Sequence, residues 1–212
     1  TAQKKIIFHP KFMPTVVICD PELTVGMPGF ITAGTGLDAF AHCVEAFCSP
    51  HYHPMSQGIA LEGMRLVKDY LPRAYADGTD LEARAQMMSA AMMGATAFQK
   101  GLGAIHAMSH PVGAHFNTHH GTTNAVCMPA VLAFNADAIR DRFDTAAAYL
   151  GISGGFAGLA GGLEVAGPIG QLTPYVPAGY GFAAIIVAFV GRLHPLGAVL
   201  SALLMSMFYI GG

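Results

Sequence analysis

Residues 31–50 read ITAGTGLDAFAHCVEAFCSP, and the interpretation of the whole chain depends on this stretch. Its apolar residues recur at helical spacing, which predicts an amphipathic helix with one buried stripe. The stripe consists of Leu37, Phe40, Ala41, Val44, Phe47 and Cys48. Asp38 and His42 lie beside it, four residues apart and therefore on the same helical face. Such a pair can bind a divalent cation, although most pairs of this kind belong to a solvated helix face.

A second segment offers histidines at the same spacing. Residues 101–121, GLGAIHAMSHPVGAHFNTHHG, place His106 and His110 four apart on a helical pattern. Pro111 follows directly and is expected to bend or end that helix. Five of the ten histidines of the chain fall within fifteen residues here. A histidine on an apolar helix is more often a hydrogen-bonded core residue than a ligand, but two such segments together favour a metal site.

Three segments of the chain carry a family resemblance. They are ITAGTGLDAFAHCVEAF from residue 31, LEGMRLVKDYLPRAYADGTDLEARAQMM from residue 61, and GLGAIHAMSHPVGAHFNTHHGTTNAVCMPAVLAFN from residue 101. Together they resemble the metal-binding helical domain of the iron-containing (group III) alcohol dehydrogenases, over residues 4–150. The resemblance implies four metal ligands, which are Asp38, His42, His106 and His120. It also implies that His110 lies beside the substrate and the nicotinamide. His119 stands where the family usually has proline, so His119 and His120 are alternatives for the last ligand.

The resemblance implies an oxidoreductase that interconverts an alcohol and an aldehyde by hydride transfer with NAD or NADP. Lys4 corresponds to a family lysine that approaches this cofactor, and an exposed terminal charge is the alternative reading. One carboxylate and three neutral imidazoles leave a divalent ion a net charge of about +1, which lowers the pKa of a hydroxyl beside it. These ligands suit Fe(II) and Zn(II) equally, so iron follows from the resemblance alone. His110 would relay a proton, contact the cofactor or support a ligand.

The pattern predicts a mainly α protein with a short strand remnant at its start. TVVICD at residues 15–20 is rich in β-branched residues and bounded by prolines, which predicts a strand. By resemblance, residues 1–28 are a remnant of a nucleotide-binding domain and residues 29–150 form the helical metal-binding domain. The helices are expected at 31–50, 55–76, 80–98, 101–116, 122–134 and 136–150. Pro72 is expected to end the second helix, and Asp80 to cap the third.

The last 62 residues have a different character, because only two of the 24 charged residues, Glu164 and Arg192, fall there. The uncharged stretches after Asp144 are 19, 27 and 20 residues long, and about 20 apolar residues span a bilayer. Glycines at 154, 158 and 162 form GxxxG steps, which let transmembrane helices pack closely. We therefore expect residues 151–212 to form an apolar, transmembrane-like helical tail.

The tail has a resemblance of its own. GGFAGLAGGLEVAGPIGQL, followed by GYGFAAIIVAFVGRLHPLGAVLSALL, is similar to the membrane permease subunits of ABC importers for simple sugars and nucleosides. This resemblance covers residues 153–212 and implies no site residues. Because the two resembled families are unrelated, we expect a junction near residues 150–154 in a fragmentary or chimeric chain. The dehydrogenase part would then lack its glycine-rich pyrophosphate loop, so we expect little or no turnover from this chain alone.

Charge and cysteine content narrow the function classes. A net charge of −2 indicates no nucleic-acid-binding or anionic-membrane surface. The four cysteines form no CxxC pair, which favours reduced thiols in a cytoplasmic protein, and residues 1–11 lack the apolar run of a signal peptide. The leading expectation is a cytoplasmic metal-dependent dehydrogenase for a small alcohol or aldehyde, with a homo-oligomer left open. The alternatives are a permease component in the cell membrane and a non-catalytic metal-binding helical bundle.

Overall fold

The structure, a computed structural model of the 212-residue chain, describes residues 9–151. This part of the chain is helical and contains no β-strand, which confirms the prediction of a mainly α fold. Its helices are α1 (Gly29–Cys48), α2 (Pro54–Ala76), α3 (Leu81–Ala97), α4 (Ala104–Phe116), α5 (His120–Asn135) and α6 (Arg140–Tyr149). Short 3₁₀ turns lie at Pro10–Phe12, Pro21–Thr24 and Phe98–Lys100.

The chain divides into two compact units, Thr1–Met128 and Pro129–Gly212, and the boundary falls inside α5. The described residues of the first unit are 9–128, and those of the second are 129–151. The first unit contains α1 to α4 and the beginning of α5. All described residues predicted to bind a metal lie in this first unit.

The helix α1 is the core of the first unit and packs against α2 and α3, which also pack against each other. Of the predicted stripe, Phe40, Ala41, Val44 and Phe47 are buried, whereas Leu37 and Cys48 are partly exposed. Ala39, Cys43 and Ala46, outside the stripe, are buried as well. The burial of α1 is therefore wider than a one-sided stripe, because two helices cover it. This packing holds the turn that bears Asp38 and His42 in a fixed place.

Lys100 closes the C-terminal end of α1. Its side chain is buried, and Nζ donates to the carbonyls of Ala46, Phe47 and Ser49 at 3.0, 3.3 and 2.8 Å. The last carbonyls of a helix have no intrahelical donor and carry the negative end of the helix dipole. A lysine from the 3₁₀ turn that precedes α4 therefore satisfies these carbonyls and ties the two segments together.

The observed α2 agrees with the predicted range 55–76, but the prediction that Pro72 ends the helix is wrong, because the helix continues through this proline to Ala76. Proline removes only its own backbone donor, and the hydrogen bonding resumes with Asp77 N–H donating to the carbonyl of Arg73 at 2.9 Å. The predicted cap of α3 is confirmed, because the Asp80 carboxylate accepts from Ala83 N–H at 3.0 Å.

The predicted strand at residues 15–20 is wrong, since these residues pair with no second strand within the described part of the chain. Their side chains are also exposed, with Val16, Val17 and Ile18 at 73%, 67% and 84%. An isolated extended segment gains neither ladder hydrogen bonds nor buried surface, so strand propensity alone does not make a strand.

No helix in residues 9–151 combines the length and apolarity needed to cross a membrane. The tail predicted to resemble a transmembrane segment lies outside the described residues, apart from its first residue. Lys4, predicted to approach the cofactor, also lies outside them.

Candidate metal centre

Three predicted metal ligands come together in the first unit. Asp38 and His42 lie one turn apart on α1, and His106 lies in the first turn of α4. Their ligand atoms, one carboxylate oxygen and two imidazole nitrogens, all lie within 4.8 Å of one another. The rings of His42 and His106 are stacked with centroids 4.5 Å apart, and His106 Nε2 lies 3.4 Å from Asp38 Oδ1. Donors from distant parts of the sequence therefore converge.

The fourth predicted ligand, His120, reaches the same place from the first residue of α5. Its Nε2 lies 3.5 Å from Asp38 Oδ1. The alternative, His119, has its Nδ1 3.3 Å from Thr122 N and 3.2 Å from Thr122 Oγ1. A side chain that accepts from a backbone N–H three residues later has the position of a helix N-cap. The His120 ring therefore lies beside Asp38, whereas the His119 ring caps the start of α5.

The start of α5 lies directly on α1 because both helices have glycine where they meet. A Cβ on Gly121 would overlap the backbone carbonyl of Gly34 and would lie 3.1 Å from Asp38 Cβ. Only glycine fits such a backbone contact. The crossing places His120, the preceding residue, next to Asp38, and it also brings Asn124 to that carboxylate one turn further along α5.

Asn124 lies among the predicted ligands and was not predicted from the sequence. It is fully buried, and its Nδ2 lies 2.6 Å from Asp38 Oδ1, 3.1 Å from His106 Nε2 and 3.2 Å from His120 Nε2. An amide has two hydrogens, so it cannot satisfy three acceptors at once. Its buried Oδ1 has no hydrogen-bond partner among the described residues. Asp38 Oδ1 and the two imidazole nitrogens therefore all lie within 3.2 Å of this one amide nitrogen.

Glu45 is the second residue that sequence reasoning missed. It is buried on α1, with Oε2 2.5 Å from His106 Nδ1 and Oε1 accepting from Ile105 N–H at 2.7 Å. A carboxylate inside an apolar helical run indicates a buried polar contact, because a charge is stable in a protein core only when hydrogen-bond partners satisfy it. The sequence does not identify those partners, which come from α4.

The ionisation of the site bears on cation binding, because each donor must be free of its proton to bind a metal. Burial lowers the pKa of His106, but hydrogen bonds to Asp38 and Glu45 outweigh it and raise that pKa to about 9. Burial raises the pKa of Asp38, but the hydrogen bond to His106 and the nearby imidazoles lower it overall. Burial is the main cause of the lowered pKa of His42. An ionised Asp38 and a neutral His42 are ready to bind a metal, whereas His106 must first lose one proton.

His110 lies one turn after His106 on α4, which continues through Pro111 to Phe116 instead of ending at the proline. The ring centroid of His110 lies 6.0 Å from that of His106 and 5.3 Å from that of His120. His110 is therefore a direct neighbour of the proposed donors.

A known protein family matches the part of the chain that contains these residues. The family described as Fe-containing alcohol dehydrogenase family, C-terminal, matches residues 32–173, which include Asp38, His42, His106, His110 and His120. The chain belongs to the iron-containing alcohol dehydrogenase family and carries its C-terminal region.

Named relatives support the same assignment. The 4-hydroxybutyrate dehydrogenase of Cupriavidus necator is 52% identical over 141 residues, 64% of this chain and 37% of that protein. The NAD-dependent methanol dehydrogenase of Bacillus methanolicus is 42% identical over 149 residues, 70% of this chain and 39% of that protein. The structure of an iron-containing alcohol dehydrogenase from Thermococcus thioreducens is 37% identical, with a TM-score of 0.64 over 68% of this chain and 38% of that one. The chain spans about two fifths of the length of these relatives.

A second family matches the end of the chain. It is described as branched-chain amino acid transport system / permease component, and it matches residues 141–212. This match overlaps the dehydrogenase match over residues 141–173. The comparison agrees with the predicted permease resemblance of the tail at the level of a transport permease.

Proposed function

We propose that this chain supplies the metal-binding helical part of an NAD(P)-linked alcohol dehydrogenase that acts on a small alcohol or aldehyde. The observation that carries the proposal is the convergence of Asp38, His42 and His106, whose ligand atoms all lie within 4.8 Å of one another. Family membership supports the reaction class, and relatives named 4-hydroxybutyrate dehydrogenase and methanol dehydrogenase support an alcohol as substrate.

A divalent cation fits the residues that are present. One carboxylate and three imidazoles, from Asp38, His42, His106 and His120, would hold it, and Asn124 Nδ2 lies within 3.2 Å of an atom of each of three of them, Asp38, His106 and His120. Fe(II) and Zn(II) both accept this donor set, and the family description favours iron. When bound, the ion supplies a Lewis acid that polarises the substrate oxygen and lowers the pKa of an alcohol hydroxyl.

The side chains would divide the remaining work. Asp38 brings the negative charge to the site, and buried His106 provides a donor with a fixed orientation. His110 stands beside the donors and would take up or return the hydroxyl proton, while NAD or NADP exchanges the hydride. Lys4 would contact that cofactor.

Metal analysis of the full 212-residue chain after anaerobic reconstitution with Fe(II) or Zn(II) tests the proposal. We expect about one ion per chain, because a single donor set of one carboxylate and three imidazoles is proposed. Asp38→Ala and His106→Ala should each retain only a small fraction of it. His115→Ala is the matched control, because His115 is an exposed histidine on the same helix as His106. A wild-type chain that stays metal-free, or equal losses in the control, would contradict the proposal.

The permease match over residues 141–212 favours a second function for the tail. Under this second function, the chain joins a dehydrogenase segment to part of a membrane permease, and the junction lies near residues 150–154. Recovery of the chain in carbonate-washed membranes would support this function, and recovery in the soluble fraction would count against it.

A further inference from the structure

Glu45 is a buried carboxylate to which the proposed reaction gives no role. It is 7% exposed, and both of its oxygens are engaged by the start of α4. Oε1 accepts from Ile105 N–H at 2.7 Å, and Oε2 lies 2.5 Å from His106 Nδ1. A Cβ on Gly103, the N-cap residue of α4, would lie 3.1 Å from Oε1, so the carboxylate sits tightly against this helix end.

The first contact makes Glu45 a cap for α4. The N-cap residue Gly103 has no side chain to accept from the first N–H groups of the helix. A carboxylate from α1 accepts from one of them instead, at the positive end of the helix dipole. The contact with Ile105 N–H therefore fixes the position of the carboxylate independently of its contact with the imidazole.

The second contact decides which nitrogen of His106 faces the metal donors. A carboxylate only accepts hydrogen bonds, so Nδ1 must carry the proton that lies between it and Oε2. The lone pair of the neutral ring is then on Nε2, which lies 3.4 Å from Asp38 Oδ1 and 3.1 Å from Asn124 Nδ2. Hydrogen bonding at one ring nitrogen of a ligand histidine generally fixes the orientation and the basicity of the other.

We propose that Glu45 is the positioning residue of the metal site: its two oxygens cap α4 and hold His106 with Nε2 directed at the cation. The inference rests on the proposed function. Glu45 would not touch the cation or the substrate, and it acts only through His106 and the first turn of α4.

The two-oxygen requirement makes Glu45→Gln an informative variant. Two donors, Ile105 N–H and His106 Nδ1–H, need two acceptors. Glutamine has nearly the same shape as glutamate but only one side-chain oxygen. Either Nδ1–H loses its acceptor, or the proton moves to Nε2 and blocks the metal. The matched control is Glu82→Gln, which makes the same chemical change at a side chain that is 62% exposed on α3.

The measurement is a calorimetric titration of the full chain with Co(II), together with far-UV circular dichroism of the metal-free proteins. We expect Glu45→Gln to weaken Co(II) binding by about 10- to 100-fold, the usual effect of losing the partner of a ligand histidine. Glu82→Gln should bind like the wild type. A purely structural role for Glu45 would lower the melting temperature and leave Co(II) affinity unchanged, and that result would overturn the proposal.

A second measurement covers the case in which the Gln variant does not fold. Long-range ¹H–¹⁵N spectra of the wild type loaded with Zn(II) should show the His106 proton on Nδ1 and the metal on Nε2. The opposite assignment would overturn the proposal without any variant. A wild-type chain that binds neither Co(II) nor Zn(II) would instead overturn the proposed function itself.

Discussion

Among single residues, Asn124 contacts three of the proposed donors without bringing a charge to the site. Its amide donates to Asp38 at 2.6 Å while two imidazole nitrogens lie within 3.2 Å of the same Nδ2. Sequence reasoning found Asp38 and His42 because helical spacing alone places them together. It missed Asn124 and Glu45 because an amide is an unusual metal-site residue, and because both act on partners from another helix.

Asn124→Ala should lower the free energy of unfolding of the metal-free chain by about 1.5–3 kcal/mol, because it removes a buried hydrogen bond to a charged group. Asn135→Ala is the control on the same helix, since Asn135 Nδ2 donates to the neutral carbonyl of Val131. That variant should lose about 0.5–1.5 kcal/mol. Urea denaturation compares the two, and equal losses would show that the contact with Asp38 has no special weight.

The buried thiol of Cys43 predicts that the free energy of unfolding falls at alkaline pH. Burial raises the pKa of its thiol to about 12 from the value of 9.0 expected in the unfolded chain. Because the folded pKa is the higher one, the stability that the thiol contributes is complete below pH 9 and is lost as the pH rises towards 12. Urea midpoints at pH 8 and pH 10.5 should therefore differ more for the wild type than for Cys43→Ala. An equal drop in both would refute the assignment.

Among the secondary-structure elements, the contact between α1 and α5 depends on two glycines. A Cβ at Gly121 would overlap the carbonyl of Gly34, so the chain has no room for a side chain where His120 approaches Asp38. The predicted helix boundaries could not show this contact, because it depends on where two distant helices cross.

Gly121→Ala should push the start of α5 away from α1 and weaken metal binding, while the helices themselves remain. Gly58→Ala on α2 is the control, because a Cβ there meets nothing within 4 Å. Alanine in an open helical position should stabilise the chain by up to about 1 kcal/mol. Co(II) titration and circular dichroism separate the two effects, and normal Co(II) binding by Gly121→Ala would contradict the role given to this contact.

For the molecule as a whole, the helices of residues 29–150 could be predicted because apolar periodicity and caps such as Asp80 are local signals. The strand at residues 15–20 was also predicted from local propensity. A strand needs a neighbour to pair with, and residues 9–151 contain none. The prediction that Pro72 ends α2 was wrong because the packing of a long helix outweighs the loss of one backbone donor.

Metal loading should stabilise the first unit as a whole, because the proposed donors come from three helices, α1, α4 and α5. A ligand that binds only the folded state adds about 1.4 kcal/mol for each tenfold rise of free metal above Kd. The melting temperature should therefore climb with Zn(II) concentration in the wild type and stay flat in Asp38→Ala. A flat curve in the wild type would mean that the ion does not join the helices.

Asp38 and His42 share one rigid helix, so half of the proposed coordination set exists as soon as α1 forms. The remaining donors arrive only when α4 and α5 dock. During folding, these two side chains would bind an ion as a bidentate chelate, and its affinity would rise when the later helices add their ligands. Metal uptake would then be an early step of maturation rather than the last one.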